Sequence, residues 1–205
     1  MRVLTIDSAT AACSVALFEQ GRLIAGAWEE IGRGHAERLV PMIAALPDKG
    51  RADRIAVSLG PGSFTGLRIG LAAARALGLA WGAEVLGYPT LALVAAMARG
   101  GDALPVSICM TGGHGEWFVQ DFGAAGEAAG EVASLPPEAA ARGAAHELVA
   151  GSQAAALVAL RGHGRAIPLL PDARQFHLLP PQALTASLAP LYGRAPDAKP
   201  AAPAR

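Results

Sequence analysis

The residues best suited to chemistry sit in two turns. Asp7-Ser8-Ala9-Thr10 sets a carboxylate beside small and hydroxyl side chains between two apolar runs. That is the composition of a phosphate-binding hairpin whose aspartate holds Mg²⁺ through water, and equally of a plain Asx or Ser/Thr turn. Gly60-Pro61-Gly62-Ser63-Phe64-Thr65-Gly66 leads into a helix, a place where backbone N–H groups can cradle a phosphate. It is not a P-loop, because no lysine follows Gly66, and it is not the dinucleotide fingerprint, because Thr65 stands where the last glycine belongs. A purely structural turn fits the same residues. Metal chemistry has less to work with. The five histidines, His35, His114, His146, His163 and His177, include no pair at metal-binding spacing, and His146-Glu147 is followed by Ala150 where a zinc-binding helix needs a second histidine. Cys13 and Cys109 fall in or beside apolar strands and are read as reduced, buried thiols.

The second turn is positioned by what flanks it. Residues 55–59 form a short, continuous apolar run that reads as a strand covered on both faces. Residues 66–81 read as a helix N-capped by Ser63 or Thr65. Its only charges, Arg68 and Arg75, lie seven apart on one narrow stripe, while Gly66, Gly70, Ala74 and Gly78 recur every fourth residue. A helix apolar nearly all round needs cover on two sides, one from its own sheet and the other from a neighbouring helix, of this chain or of another. Upstream, strands at 2–6, 13–18 and 22–28 make an antiparallel meander. Residues 35–46 then make a helix carrying Leu39, Met42, Ile43 and Leu46 on one side. Downstream come a strand at 84–87 and a helix at 90–98, and from Pro105 a second lobe opens with strands at 106–110 and 116–122. Weaker signals suggest helices at 137–142, 152–160 and 182–191 and a strand at 147–150. The Pro/Ala-rich tail from Arg194 is expected to be disordered.

Bulk properties narrow the function classes. With 52% hydrophobic and 17% charged residues in 205, the chain has ample material for a core, in one domain or two small lobes. Seventeen acidic and seventeen basic residues cancel and no basic run occurs, which argues against gripping nucleic acid unaided. The N-terminal strand has no apolar leader and no stretch is long enough to span a membrane, so the expectation is a soluble, cytoplasmic protein.

The string Gly60-Pro61-Gly62-Ser63-Phe64-Thr65-Gly66-Leu67-Arg68-Ile69-Gly70 resembles the signature of the TsaB (YeaZ) family, bacterial proteins of the actin-like ATPase superfamily that help build threonylcarbamoyladenosine next to the tRNA anticodon. The likeness extends over most of the first lobe, including His35-Ala36-Glu37-Arg38-Leu39-Val40-Pro41, and returns at Ala189-Pro190-Leu191-Tyr192. It implies an α/β fold of two ribonuclease-H-like lobes, the second reduced, with residues 1–100 as the first lobe, 101–193 as the second and 194–205 as a disordered tail. It also implies a non-catalytic partner of the catalytic subunit TsaD, acting with the ATPase TsaE, meeting tRNA only through the complex, and able to pair with a second copy of itself. Where TsaD is expected to carry a pair of metal-binding histidines, this chain has Pro89, Thr90 and Val94, and Thr111-Gly112-Gly113 takes the place of the family's usual Asp-Ala-Arg.

No cofactor is then expected of the chain alone, with weak ATP or ADP binding only in the complex, and Asp7, Ser8 and Thr10 become a vestigial phosphate loop. The expected partner surface joins His35, Leu39, Met42, Ile43 and Leu46 of one helix to Gly66, Gly70, Leu71, Ala74 and Gly78 of the other, as half of an intermolecular four-helix bundle. The competing reading is an enzyme acting alone, either an ATP-dependent transferase of actin-like fold or a metallopeptidase.

Overall fold

The structure, a computed structural model, describes residues 1–193, so the tail expected at 194–205 lies outside the described residues. Strands β1 (Arg2–Asp7), β2 (Ala12–Glu19) and β3 (Arg22–Glu30) form the expected meander, followed by helix α1 (His35–Ala44), strand β4 (Arg54–Ser58), helix α2 (Phe64–Trp81), strand β5 (Glu84–Tyr88) and helix α3 (Thr90–Arg99). They build one sheet in the order β3-β2-β1-β4-β5, antiparallel among the first three strands and parallel from β1 to β5. Ser63 caps α2, its hydroxyl accepting from the Gly66 N–H at 3.3 Å, and Gly82 ends the helix in the left-handed region at φ 67°. Leu4, Ile6, Val15, Leu17, Ile55 and Val57 fill the core under α1 and α2.

The second lobe repeats this order in shorter elements. Strands β6 (Val106–Thr111), β7 (Trp117–Phe122) and β8 (Ala128–Leu135) form a second meander, then helix α4 (Pro137–Gly143), strand β9 (Leu148–Ala150), helix α5 (Ala154–Arg161) and strand β10 (Arg165–Ile167) complete a sheet in the order β10-β9-β6-β7-β8. The lobe is reduced in size, with three-residue β9 and β10, yet its strand order is whole. Helix α3 joins the two sheets. Leu93 packs with Ala56 and Tyr88 of the first, while Leu91, Val94 and Ala95 pack with Val106, Ile108 and Phe118 of the second.

Two expectations fail after residue 170. The helix at 182–191 does not form: only a 3₁₀ turn, Pro181–Ala183, is present, and beyond it the chain pairs instead with the edge of β5, Thr185 and Gly87 exchanging bonds of 2.8 and 3.0 Å. Nor does the second lobe run to residue 193. The 3₁₀ segment Ala173–Leu178 lies on the first sheet, where the Thr5 hydroxyl donates to the Ala173 carbonyl at 3.1 Å, the Ala173 N–H donates to the Ser14 hydroxyl at 3.0 Å, and Phe176 meets the rings of Phe18 and Tyr88. The Thr5 hydroxyl is also 3.2 Å from the Ala16 carbonyl of β2, whereas the buried Ser14 hydroxyl receives its donor from the returning segment.

Candidate functional site

The first hairpin and the glycine turn are packed onto each other. The Ser63 N–H donates to the Ala9 carbonyl at 2.6 Å and the Ser8 hydroxyl donates to the Gly66 carbonyl at 2.9 Å. A side chain at Gly62 would overlap the Ala9 carbonyl, one at Gly66 the Ser8 carbonyl, and one at Gly70 would stand 2.5 Å from the Ser8 hydroxyl. The glycines of the signature therefore let α2 press against the hairpin. Asp7 lies behind this contact, fully buried, its carboxylate accepting from the Ala9 N–H and the Tyr88 hydroxyl, both at 3.1 Å. Burial pushes its carboxyl up to about 6, against the opposing pull of those hydrogen bonds, and raises the Tyr88 phenol well above its ordinary range.

Of the expected vestigial phosphate loop, Asp7 and Ser8 both face inward and are engaged in internal bonds. Thr10 alone of the three lines the space between the lobes, and its hydroxyl accepts from the Ala12 N–H at 3.2 Å. Tyr88, Ser58 and Thr90 complete the buried network, Ser58 and Thr90 sharing a 2.5 Å hydrogen bond. The spacing of residues in the sequence gives no sign of it, since the network is assembled by strand pairing.

The expected partner residues require a correction. His35, Leu39, Met42, Ile43, Leu46, Gly66, Gly70, Leu71, Ala74 and Gly78 are all buried within the protein itself. The His35 ring nitrogen lies 3.2 Å from the Ala12 carbonyl, Ala74 is 0% exposed, and a side chain at Gly78 would strike Val85. The row of small residues serves the sheet, drawing α2 close to it. The opposite faces are the open ones: Ala36, Val40 and Ala44 on α1, and Thr65, Ala72, Ala76 and Leu79 on α2, with Val40 61% and Leu79 88% exposed.

Between the lobes lies a cleft of about 1460 Å³. Trp28, Phe64, Met97, Met110, Phe118 and Leu170 give it a largely apolar lining, with Glu30, Arg68, His114, Asp172 and Arg174 among its charged or titratable members. Asp172 and Arg174 are paired at 2.7 Å, and the Arg68 guanidinium lies 3.8 Å over the Phe64 ring. Across the cleft, the Thr111 and Ser152 hydroxyls bond each other at 3.1 Å and Gln153 donates to Thr111 at 2.8 Å. No three His, Cys, Asp or Glu side chains among the described residues gather as a metal site. Such a cleft can hold planar or apolar groups, and its Thr111 and Ser152 hydroxyls are already engaged with each other.

Two lobes of this strand order, joined by a shared helix across a cleft, define the actin-like ATPase fold. YeaZ from Pseudomonas aeruginosa superposes with a TM-score of 0.72 at 31% identity, covering 87% of this chain and 89% of that one. A family model described as TsaD, tRNA N6-adenosine threonylcarbamoyltransferase, matches residues 29–168. The Escherichia coli tRNA threonylcarbamoyladenosine biosynthesis protein TsaB is 44% identical over 102 residues, a match spanning 46% of this chain and only 43% of that protein. An uncharacterised Mycobacterium tuberculosis protein is 32% identical over 98% of this chain and 95% of its own length. This chain belongs to the TsaB/YeaZ family.

Proposed function

We propose that this protein is a cytoplasmic, non-catalytic subunit in the formation of tRNA threonylcarbamoyladenosine, binding the catalytic subunit TsaD and acting together with the ATPase TsaE. The observation that carries this reading is the outer face of α1 and α2, where Val40 and Leu79 stand in water among Ala36, Ala44, Ala72 and Ala76, with the exposed Glu37, Arg68 and Arg75 at its margins. Two adjacent helices with small, apolar outer faces suit a four-helix contact with an equivalent pair, supplied by TsaD or by a second copy of this chain, and the two would compete. No cofactor is assigned to the chain alone, and weak ATP or ADP binding belongs to the assembled complex. No helix among the described residues is long and apolar enough to cross a membrane.

Co-purification with TsaD tests the proposal. Ala76→Arg places a charge on the open face, where substitutions shift stability by only about 0.5 kcal/mol, and is expected to weaken association by about 30-fold or more, as loss of a central contact does. Ala74→Arg instead drives a charge into the core and is expected to unfold the protein. A folded Ala76→Arg variant that binds TsaD as tightly as the parent places the interface elsewhere.

Transfer RNA should be met through the complex. With no net charge the isolated chain releases few counterions on contact with phosphates, so gel-shift titration at physiological salt is expected to show no tight binding. Tight binding that weakens steeply with salt would reveal a basic surface assembled by the fold.

A further inference from the structure

We infer that residues 185–193 form a latch that holds the cleft between the lobes at its present opening, and that undocking this segment widens the cleft. The inference does not depend on which partner α1 and α2 receive. After its bridge to Gly87, the segment runs along α2, where an Arg75 guanidinium nitrogen donates to the Leu188 carbonyl at 3.2 Å. It then crosses the signature turn, the Leu191 N–H donating to the Leu59 carbonyl at 2.7 Å and the Tyr192 ring lying 5.3 Å from that of Phe64. The seat for this crossing is Gly60, at φ 98°, where an added Cβ would stand 2.5 Å from the Leu191 carbonyl oxygen. The first glycine of the signature thus makes room for this chain's own C-terminal segment.

The segment ends between the lobes. At Gly193 an added Cβ would stand 2.8 Å from the Phe118 ring of β7 and 2.9 Å from Pro61 of the signature turn. Pro61, Phe118 and Tyr192 all line the cleft, so one short stretch touches both of its walls. Its hold is weak. No residue from 185 to 193 is fully buried, and its anchors are a sheet-edge bridge, single hydrogen bonds and a half-exposed ring pair, the features of a segment that opens locally before the rest of a protein does. A specific seat with shallow burial is what a releasable contact requires. Its α2 anchors, Phe64 and Arg75, lie along one edge of the helix beside the open face.

The test uses the full-length protein with spin labels at Arg33→Cys and Gly113→Cys, exposed positions on opposite lobes, while the native Cys13 and Cys109 stay buried. Gly60→Ala and Tyr192→Ala are each introduced. Hydrogen exchange at the Leu191 amide is expected to accelerate about tenfold or more while amides of β1 keep their protection, and the distance between labels is expected to lengthen and broaden by several ångström. Faster exchange with an unchanged label distance would show the segment to be a passive tail and overturn the inference. Unchanged exchange in both variants would overturn it as well, since the seat would then not hold the segment. Should Gly60→Ala fail to fold, Tyr192→Ala leaves the turn intact and decides the matter alone.

Discussion

Asp7→Asn is expected to raise the melting temperature at pH 7.5 and to remove this group's share of the dependence of stability on pH between 4 and 6. The carboxyl is buried without a cationic partner among its contacts, and its value in the folded protein, about 6, stands above the 3.8 of an exposed aspartate. Folding therefore favours the protonated form. The contribution of this group to stability is greatest below 3.8, falls as pH rises towards 6, and stays reduced above that, by about 3 kcal/mol if the full displacement is realised. Asparagine keeps the geometry without the charge: its oxygen can accept from Ala9, and its amide can donate to the Tyr88 oxygen once the phenol hydrogen turns from residue 7 to the Ile6 carbonyl, also 3.1 Å away. The expected gain is roughly 6–12 °C for a protein of this size. Thermal melts of both proteins from pH 4 to 8 decide it. A variant that is less stable at pH 7.5, or one that retains the parent's slope, would show that the anion is held by something the geometry does not reveal.

Gly66→Ala works in the opposite direction and against the ordinary trend for helices. In an open helix this change gains about 1 kcal/mol from reduced backbone freedom. Here the new methyl group would overlap the Ser8 carbonyl, and that backbone is pinned by the Ser8 bond to Gly66 and the Ser63 bond to Ala9. Neither partner can retreat cheaply, so the clash outweighs the propensity gain, and a net loss of about 3 kcal/mol is expected. Ala72→Gly on the open face of the same helix serves as the comparison and should cost only about 1 kcal/mol. Urea unfolding of the three proteins gives the order directly. Equal or greater stability in Gly66→Ala would mean that α2 does not sit on the hairpin as described.

Much of the first lobe was legible because its signals are local. The meander, the apolar run before Gly60, the cap at Ser63 and the uninterrupted helix to Trp81 are each decided within a few residues. The orientation of α2 was not. A helix that is apolar nearly all round has no polar stripe to mark its outside, and a row of small residues allows close approach to a sheet as readily as to another helix. The row Gly66, Gly70, Ala74, Gly78 consequently pointed to a partner in the sequence and to the sheet in the structure. Asp7 was ambiguous for a related reason: a turn that could bind phosphate and one that merely closes a hairpin share the same residues, and the packing of Gly62 and Gly66 over it is not visible in them. The contacts of Tyr88, Phe176 and Tyr192 depend on segments far apart in the chain, which periodicity cannot register.

The return of residues 173–193 to the first sheet makes the second lobe an insertion within the first, and this bears on the order in which a nascent chain can finish folding. When β5 leaves the ribosome, the Ser14 hydroxyl and the edge at Gly87 still lack their final partners, which are synthesised only after β10. The second sheet, by contrast, is built from one uninterrupted stretch of sequence, β6 to β10, with α3 already present to close its core. Domains usually mature from the N-terminus during synthesis. In this protein the lobe that begins first is completed last.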